Sequence, residues 1–485
     1  MRQPAYTHLG GLRDVESFRR YLTKQGIEIP CDDKLLHGAA SPLAQPIQVG
    51  SNQLGNRIVA QPMEGWDGTP EGRPTELTFR RWERFGLSGA KLIWGGEAVA
   101  VRHDSRANPN QLVINQHSQP DLTRLRETLV AAHKRATGSD AGLLIGLQLT
   151  HSGRYSRPNA HDRPEPKILY HHPILDRRLN IPADYPVLTD QELREIIDDF
   201  HEAAMVAAQA GFDFVDIKHC HGYLGHELLS AHTREGEFGG SFENRTRFLR
   251  MVATAIHSAS PTLSIGVRLS AFDTIPFRKD ASAEQRGVPE STAGLIPFRW
   301  GFGLNTENPL EPDIGESIKF LALLRELGVR LVNISAGSPY YNPHIQRPAS
   351  YPPSDGYSAP EDPLAGVALQ MKVTHELKQQ FPELVVVGSA YSYLQEFLPY
   401  VAQAAIREGW TDCVGLGRML LAYPSLMLDA MEGRPLNRKS VCRTFSDCTS
   451  APRAGLPSGC YPLDPHYKNS KDSDRLKQLK TAKTK

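Results

Sequence analysis

No run of about eighteen apolar residues occurs in the chain, so a membrane-spanning helix is not expected. The opening stretch MRQPAYTHLGGLRDVESFRRYL lacks an apolar core of signal-peptide type. Cysteine is scarce, six in 485 residues, which excludes a disulfide scaffold and fits a reduced setting. Charge of one sign is also missing: the net charge of +1 gives no electrostatic reason to expect nucleic acid or a charged membrane surface as partner. No G-x-G-x-x-G follows the first candidate strand, which weakens a doubly wound dinucleotide-binding sheet. These absences together predict a cytoplasmic protein with no nucleic-acid or membrane partner. At this length it is one elaborated domain or two ordinary ones.

What is present is an alternation. Short apolar runs recur at Arg57–Gln61, Lys91–Trp94, Leu143–Leu149, Phe212–Ile217, Ser264–Leu269, Arg330–Ser335, Leu384–Val387 and Asp412–Gly415, most of them separated by helical patterns. The clearest helix is Thr189–Ala210. Leu193, Ile196, Ile197, Phe200, Ala204 and Ala207 share one face, Thr189 and Glu192 have capping-box spacing, and Gly211 stops it. Eight β-then-α units predict an α/β fold, a TIM (β/α)8 barrel. A second helix is expected over Asp14–Gln25, in an extension strapped to the outside of the barrel. Two insertions, 150–188 and 271–312, leave C-terminal strand ends, where they can form pocket walls or plain surface elaboration. The polar, Lys-rich stretch from His466 is expected to fray.

The fourth candidate strand changes character at its end, where Lys218, His219, Cys220, His221 and Tyr223 follow Ile217. A strand that runs out into proton-transfer groups is what a catalytic barrel strand looks like. Tyr223 is a general acid that needs no tuning, since a phenol stays protonated at neutral pH. Lys218 is a donor with no acceptor. Glu64 and Trp94, at the first and second strand ends, are expected to line the pocket, and Cys220 reads as a small buried filler.

The runs GNRIVAQPMEG, LQLTHSGR, HGYLGHELLS with GGSFENRTRF, GVRLSAF and VGLGRMLLAYP fall in order on successive strand ends, and together they resemble the Old Yellow Enzyme family of FMN-dependent barrels. The resemblance covers about residues 47–430 and implies FMN as cofactor with NAD(P)H as electron donor. It places Pro62, Met63 and Glu64 beside the flavin ring, Gln148 on its pyrimidine edge and Arg268 against N1 and O2, where positive charge holds the reduced anion. A barrel-core ion pair is the plain alternative for Arg268. Gly388 and Ser389 after the seventh strand, with Gly417 and Arg418 after the eighth, match the phosphate site. Aligned on Gly222–Tyr223–Leu224, Lys218 and His221 take the places of the family's substrate-binding pair, and Tyr223 takes that of its proton donor. The lysine departs from the family pattern, and His219 leaves a one-residue ambiguity.

The implied organisation is an N-terminal extension at 1–46, an FMN-binding barrel at 47–435 and a Cys-containing segment with a polar tail at 436–485. Cys442, Cys448 and Cys460 resemble part of the [4Fe–4S] motif of the dienoyl-CoA reductase and trimethylamine dehydrogenase branch. One cysteine is missing, Thr444 or Phe445 standing near its place, so loss of the cluster is expected, with Asp447 as the local candidate for a fourth ligand. The implied reaction is reduction of an electron-poor C=C bond of a small molecule. Its alternatives are oxidation of an amine or alicyclic substrate, a Schiff-base lyase on Lys218 without flavin, and a flavin-binding protein without turnover. Relatives form dimers or tetramers, so a homo-oligomer falls within the same expectation.

Overall fold

The computed structural model describes residues 6–281 and 285–482. Eight parallel strands close into a barrel: β1 (Ile58–Ala60), β2 (Leu92–Ile93), β3 (Leu144–Thr150), β4 (Phe214–Ile217), β5 (Ser264–Ser270), β6 (Leu331–Ser335), β7 (Val385–Gly388) and β8 (Cys413–Leu416). Pairing runs in sequence order, and β8 closes onto β1 through Val414 and Ile58. A short strand, Ala98–Ala100, adds to the far end of β3. Each barrel strand falls within two residues of its sequence-predicted run, because a strand buried on both faces is a continuous apolar stretch bounded by turns. Among the described residues no helix is long and apolar enough to cross a membrane.

The barrel interior holds Val59, Leu92, Trp94, Leu144, Phe214, Leu331, Val385, Val387 and Cys413. Trp94 and Phe214 meet edge to face at 5.4 Å. Gly146 leaves room for the second ring, since a Cβ there would stand 2.3 Å from it. A hairpin of Ile47–Val49 and Asn52–Leu54 brings Val49 and Leu54 to this cluster and stoppers the N-terminal mouth. Apolar helix faces cover the outside. Asp190–Gln209 is capped as its sequence foretells, Glu192 N–H donating to Thr189 Oγ1 (3.1 Å) and Thr189 N–H to Glu192 Oε2 (2.7 Å), while Gly211 takes φ 86°.

The extension carries the expected helix, Val15–Gln25, and Phe18 stacks on Phe397 at 4.4 Å. One expectation fails. Residues 466–482 do not fray: Lys471–Ala482 is helical, and Tyr467 and Leu476 are buried with Leu456 and Tyr461, while 483–485 lie outside the described residues. Tyr467 ahead of the helix and Leu476 and Leu479 on it are too few to show a period but suffice to seat it. Of the two readings open for the long insertions, that of cavity walls is not the one realised, since neither lines the main cavity. They pack on each other, Arg178 donating to Phe277 O (2.9 Å) and Ile174 meeting Ile275 and Phe298, behind the loop that follows β4.

Candidate active site

At the C-terminal end of the barrel lies a cavity of about 260 Å³. Its floor is set by polar side chains rising from the strands. Asp216, in β4, points inward and is fully buried, accepting from Trp94 Nε1 (2.8 Å), Gln148 Nε2 (2.5 Å) and the Arg268 backbone N–H (2.8 Å). Burial raises its carboxyl pKa and these donors oppose the shift. Trp94 is therefore a supporting residue beneath the site, not a lining one. Across the barrel, Gln61 and Asn333 exchange amide hydrogen bonds of 3.1 and 2.7 Å, and Gln61 also donates to Ser389 Oγ (3.2 Å). Gly415 is required there, because a Cβ would fall 1.9 Å from Gln61 Nε2.

The loop after β4 places Lys218, His221 and Tyr223 on this cavity and turns His219 and Cys220 away from it. His219 bonds Ile217 O through Nδ1 and leans on Phe320, away from the cavity. Cys220 is fully buried, and burial pushes its thiol up to about 12, as suits a filler. His221 takes a left-handed backbone, φ 68°, an arrangement that costs about 1–3 kcal/mol and here points the ring inward. Its Nε2 lies 2.9 Å from Ser335 Oγ and 3.2 Å from Gln346 Nε2. Burial, with Arg268 and Lys218 nearby, holds it well below the usual histidine range, so the imidazole is neutral.

Glu64 organises the other donors. Lys218 Nζ stands 3.4 Å from Glu64 Oε2 and 3.7 Å over the centre of the Tyr223 ring. The Tyr223 hydroxyl lies 3.3 Å from both Glu64 oxygens and 2.8 Å from Tyr340 Oη, while Trp66 Nε1 donates to Glu64 Oε1 (2.8 Å). Burial first and Glu64 second push the Tyr223 phenol well above its ordinary value. Tyr340 is itself stacked on Tyr155 at 3.9 Å.

Pro62, Met63, Glu64, Gln148, Arg268, Ser389, Gly417 and Arg418 all line the same cavity, and Gly388 immediately precedes Ser389. Arg268 has no carboxylate within 4 Å among the described residues, and its Nε is buried without a partner, so the barrel-core ion pair is not formed. Arg418 Nη1 is likewise buried and unpartnered. The remaining wall was not legible in the sequence. Pro339, Tyr340, Gln346 and Arg347 come from the excursion after β6, and Cys448, Thr449, Pro452, Arg453, Ser458 and Gly459 come from the C-terminal segment. The one available signal lay in β4 itself, where Asp216 interrupts an apolar strand.

Buried guanidinium groups without carboxylates are an unfavourable arrangement for a protein alone and call for an anionic ligand. A flavin mononucleotide fits this donor set: Arg268 and Gln148 would face the ring, and Arg418 with the turns at Ser389 and Gly417 would face the phosphate. Cys442, Cys448 and Cys460 line a void of about 20 Å³ with Arg418, Asp447 is paired with Lys480, and no cluster of three or more His, Cys, Asp or Glu among the described residues is arranged to hold a metal ion.

Comparison with known proteins gives the family and the fold. A profile of the NADH:flavin oxidoreductase / NADH oxidase family matches residues 42–288, just over half of the chain. The chain is 30% identical over 251 residues to 12-oxophytodienoate reductase 1 of Oryza sativa subsp. japonica, covering 49% of this chain and 61% of that protein. It is 30% identical over 309 residues to an NADPH dehydrogenase of Geobacillus sp., covering 61% of this chain and 82% of that one. Among solved structures, a 2-naphthoyl-CoA reductase–2-naphthoyl-CoA complex superimposes with a TM-score of 0.64 at 18% identity, over 89% of this chain and 58% of the other, a likeness of fold. The chain thus spans about six tenths of the length of the rice reductase and of that structure. With a profile match over just more than half of the chain, spanning β1 to β5, the chain belongs to the NADH:flavin oxidoreductase / NADH oxidase family.

Proposed function

We propose that this protein is an FMN-dependent oxidoreductase that uses NAD(P)H to reduce an electron-poor C=C bond of a small molecule. The observation that carries the reading is the convergence of Lys218, His221 and Tyr223 on one cavity that also holds the uncompensated Arg268 and Arg418. Bound FMN would supply hydride transfer, from NAD(P)H to the alkene β-carbon. The chain's own residues do the rest. The Lys218 ammonium and the ring of His221 present donors to the oxygen of the activating group, where negative charge develops. His221 stays neutral, so it polarises by hydrogen bonding rather than by full charge. Tyr223 keeps its proton at neutral pH and delivers it to the α-carbon, completing the reduction. Tyr340 Oη, 2.8 Å away, stands where it can pass a proton back to the phenolate.

The same site weighs against Tyr223 as the base of a dehydrogenase and against a Schiff base on Lys218. A dehydrogenase that uses Tyr223 as base would need that phenol to ionise, and burial beside Glu64 opposes it. A Schiff-base lyase needs a lysine amine free to attack a carbonyl carbon, whereas Lys218 Nζ is engaged by Glu64 at 3.4 Å and by the Tyr223 ring at 3.7 Å. The test is anaerobic turnover of a panel of cyclic enones with NADPH deuterated at the transferable position. Saturated product carrying deuterium at the β-carbon is expected. Flavin reduction by NADPH with no enone consumed across the panel contradicts the reading.

A further inference from the structure

Of the three cavity guanidinium groups that the flavin reading does not use, Arg81 and Arg453 are paired with carboxylates and Arg347 is not. Arg347 ends the short helix Pro343–Gln346 in the excursion after β6, and its side chain reaches the cavity wall. There Nη1 donates to Thr449 Oγ1 of the C-terminal segment, while Nε and Nη2 are buried without a partner. Arg418 arrives from the other side, leaving β8, and its Nη2 donates to the carbonyl of Pro348, the residue next to Arg347 (2.8 Å). Two guanidinium groups thus meet at one spot, each with a free, buried N–H, and neither has a carboxylate within 4 Å among the described residues.

Charge balance says what belongs between them. Of the cations on the wall, Arg81 is paired with Asp67 and Glu97, Lys218 with Glu64, and Arg453 with Asp355. Arg268, Arg347 and Arg418 are left over. Arg268 lies at the end of β5, beside Asp216 and Gln148, where a ring would lie. The remaining pair carries two positive charges, and a phosphate monoester carries about −1.5 to −2 at pH 7. A single arginine would leave such a group half-compensated. Two forks, one from each side, match both its charge and its three acceptor oxygens. Burial and the proximity of Arg418 lower the Arg347 pKa to about 9, the sign of two cations awaiting a shared anion.

We infer that Arg347 is the second arm of a phosphate clamp with Arg418, holding the 5′-phosphate of the flavin, and that Thr449 is the positioning residue that aims it. The inference rests on the proposed flavin function and gives the C-terminal segment a role other than cluster binding. It hands one end of the cofactor site to 436–485, so flavin binding and the seating of that segment are coupled. The same dianion chemistry on a phosphorylated substrate is the competing source.

Titration of the full-length apoprotein with FMN and with riboflavin, followed by quenching of flavin fluorescence, separates these cases. Wild-type protein should favour FMN strongly. Arg347→Gln should weaken FMN by about tenfold to a hundredfold, the range of a lost charge-assisted pair, and leave riboflavin unchanged. Thr449→Val, which releases the guanidinium without removing it, should lose part of the same selectivity. FMN-over-riboflavin selectivity that is unchanged in whichever of the two variants folds overturns the inference and leaves the phosphate of a substrate as the remaining source. Wild-type protein that binds neither flavin is a different result: it overturns the flavin reading and takes this inference with it.

Discussion

Tyr223→Phe removes one oxygen from the site and little else. The ring stays, so Lys218 keeps the aromatic face 3.7 Å beneath its ammonium. Glu64 keeps Trp66 Nε1 and Lys218. Glu64 loses its 3.3 Å contacts with the hydroxyl and Tyr340 Oη loses its 2.8 Å partner, a loss of about 1–3 kcal/mol. For a chain of 485 residues the entropy of unfolding is about 1 kcal/mol per degree, so Tm should fall by only about 1–3 °C. Chemistry should respond far more. A positioned general acid contributes about 10²–10⁴-fold, or about 2.7–5.4 kcal/mol of barrier. The loss belongs to one half of the cycle. Stopped-flow measurement should show flavin reduction by NADPH within about twofold of wild type and reoxidation by an enone slowed by at least about a hundredfold. If reoxidation slows less than about tenfold, Tyr223 is not the proton donor. If both halves slow together, its hydroxyl is structural.

Other consequences follow from the same contacts. Arg268→Met should raise the melting temperature of the apoprotein, because it deletes a buried charge with no carboxylate partner, while shrinking the stabilisation that FMN confers; a lower apoprotein Tm would contradict this. Gly415→Ala should cost about 3 kcal/mol or more by denaturant unfolding, since its Cβ would meet both Gln61 Nε2 at 1.9 Å and Gly388 O at 2.7 Å; a loss below about 1 kcal/mol would show that the Gln61–Asn333 bridge yields easily. Acid should also destabilise the fold. His133, His219 and His344 are lowered to about 4, His151 and His226 to about 3, and His172 and His221 well below the usual range, all by burial. These rings stay neutral in the fold and charge in the unfolded chain, so stability present above about pH 6.5 drains away below it, by about 1.4 kcal/mol per ring at pH 5.5. Glu97 and Asp273, raised to about 7 and about 6, return part of that as they protonate. Equal denaturation midpoints at pH 7.5 and 5.5 would refute the burial of these histidines.

The barrel was legible because its strands are apolar on both faces, so each reads as a bounded run and none could be mistaken for an amphipathic helix. Lys218, His221 and Tyr223 were legible because three reactive side chains abruptly follow such a run. Asp216 was harder to single out: it lies inside the run, and its meaning is the tertiary convergence of Trp94, Gln148 and Arg268 on one carboxylate. Tyr340, Gln346 and Arg347 were invisible for a related reason. They sit in an irregular, proline-punctuated excursion with no period, and each matters only through a partner more than a hundred residues away in the chain. The long insertions could not be assigned from sequence because length after a strand end fits a wall or surface elaboration equally; here the walls come from the excursion after β6 and the C-terminal segment, and the insertions pack against each other.

The most direct test of the account is an absorption spectrum of the purified protein between 300 and 700 nm, before and after anaerobic NADPH and again after an enone is added. Twin flavin bands that bleach with NADPH and return with the enone are the predicted result. A protein that stays colourless after incubation with FMN would contradict the account at its root.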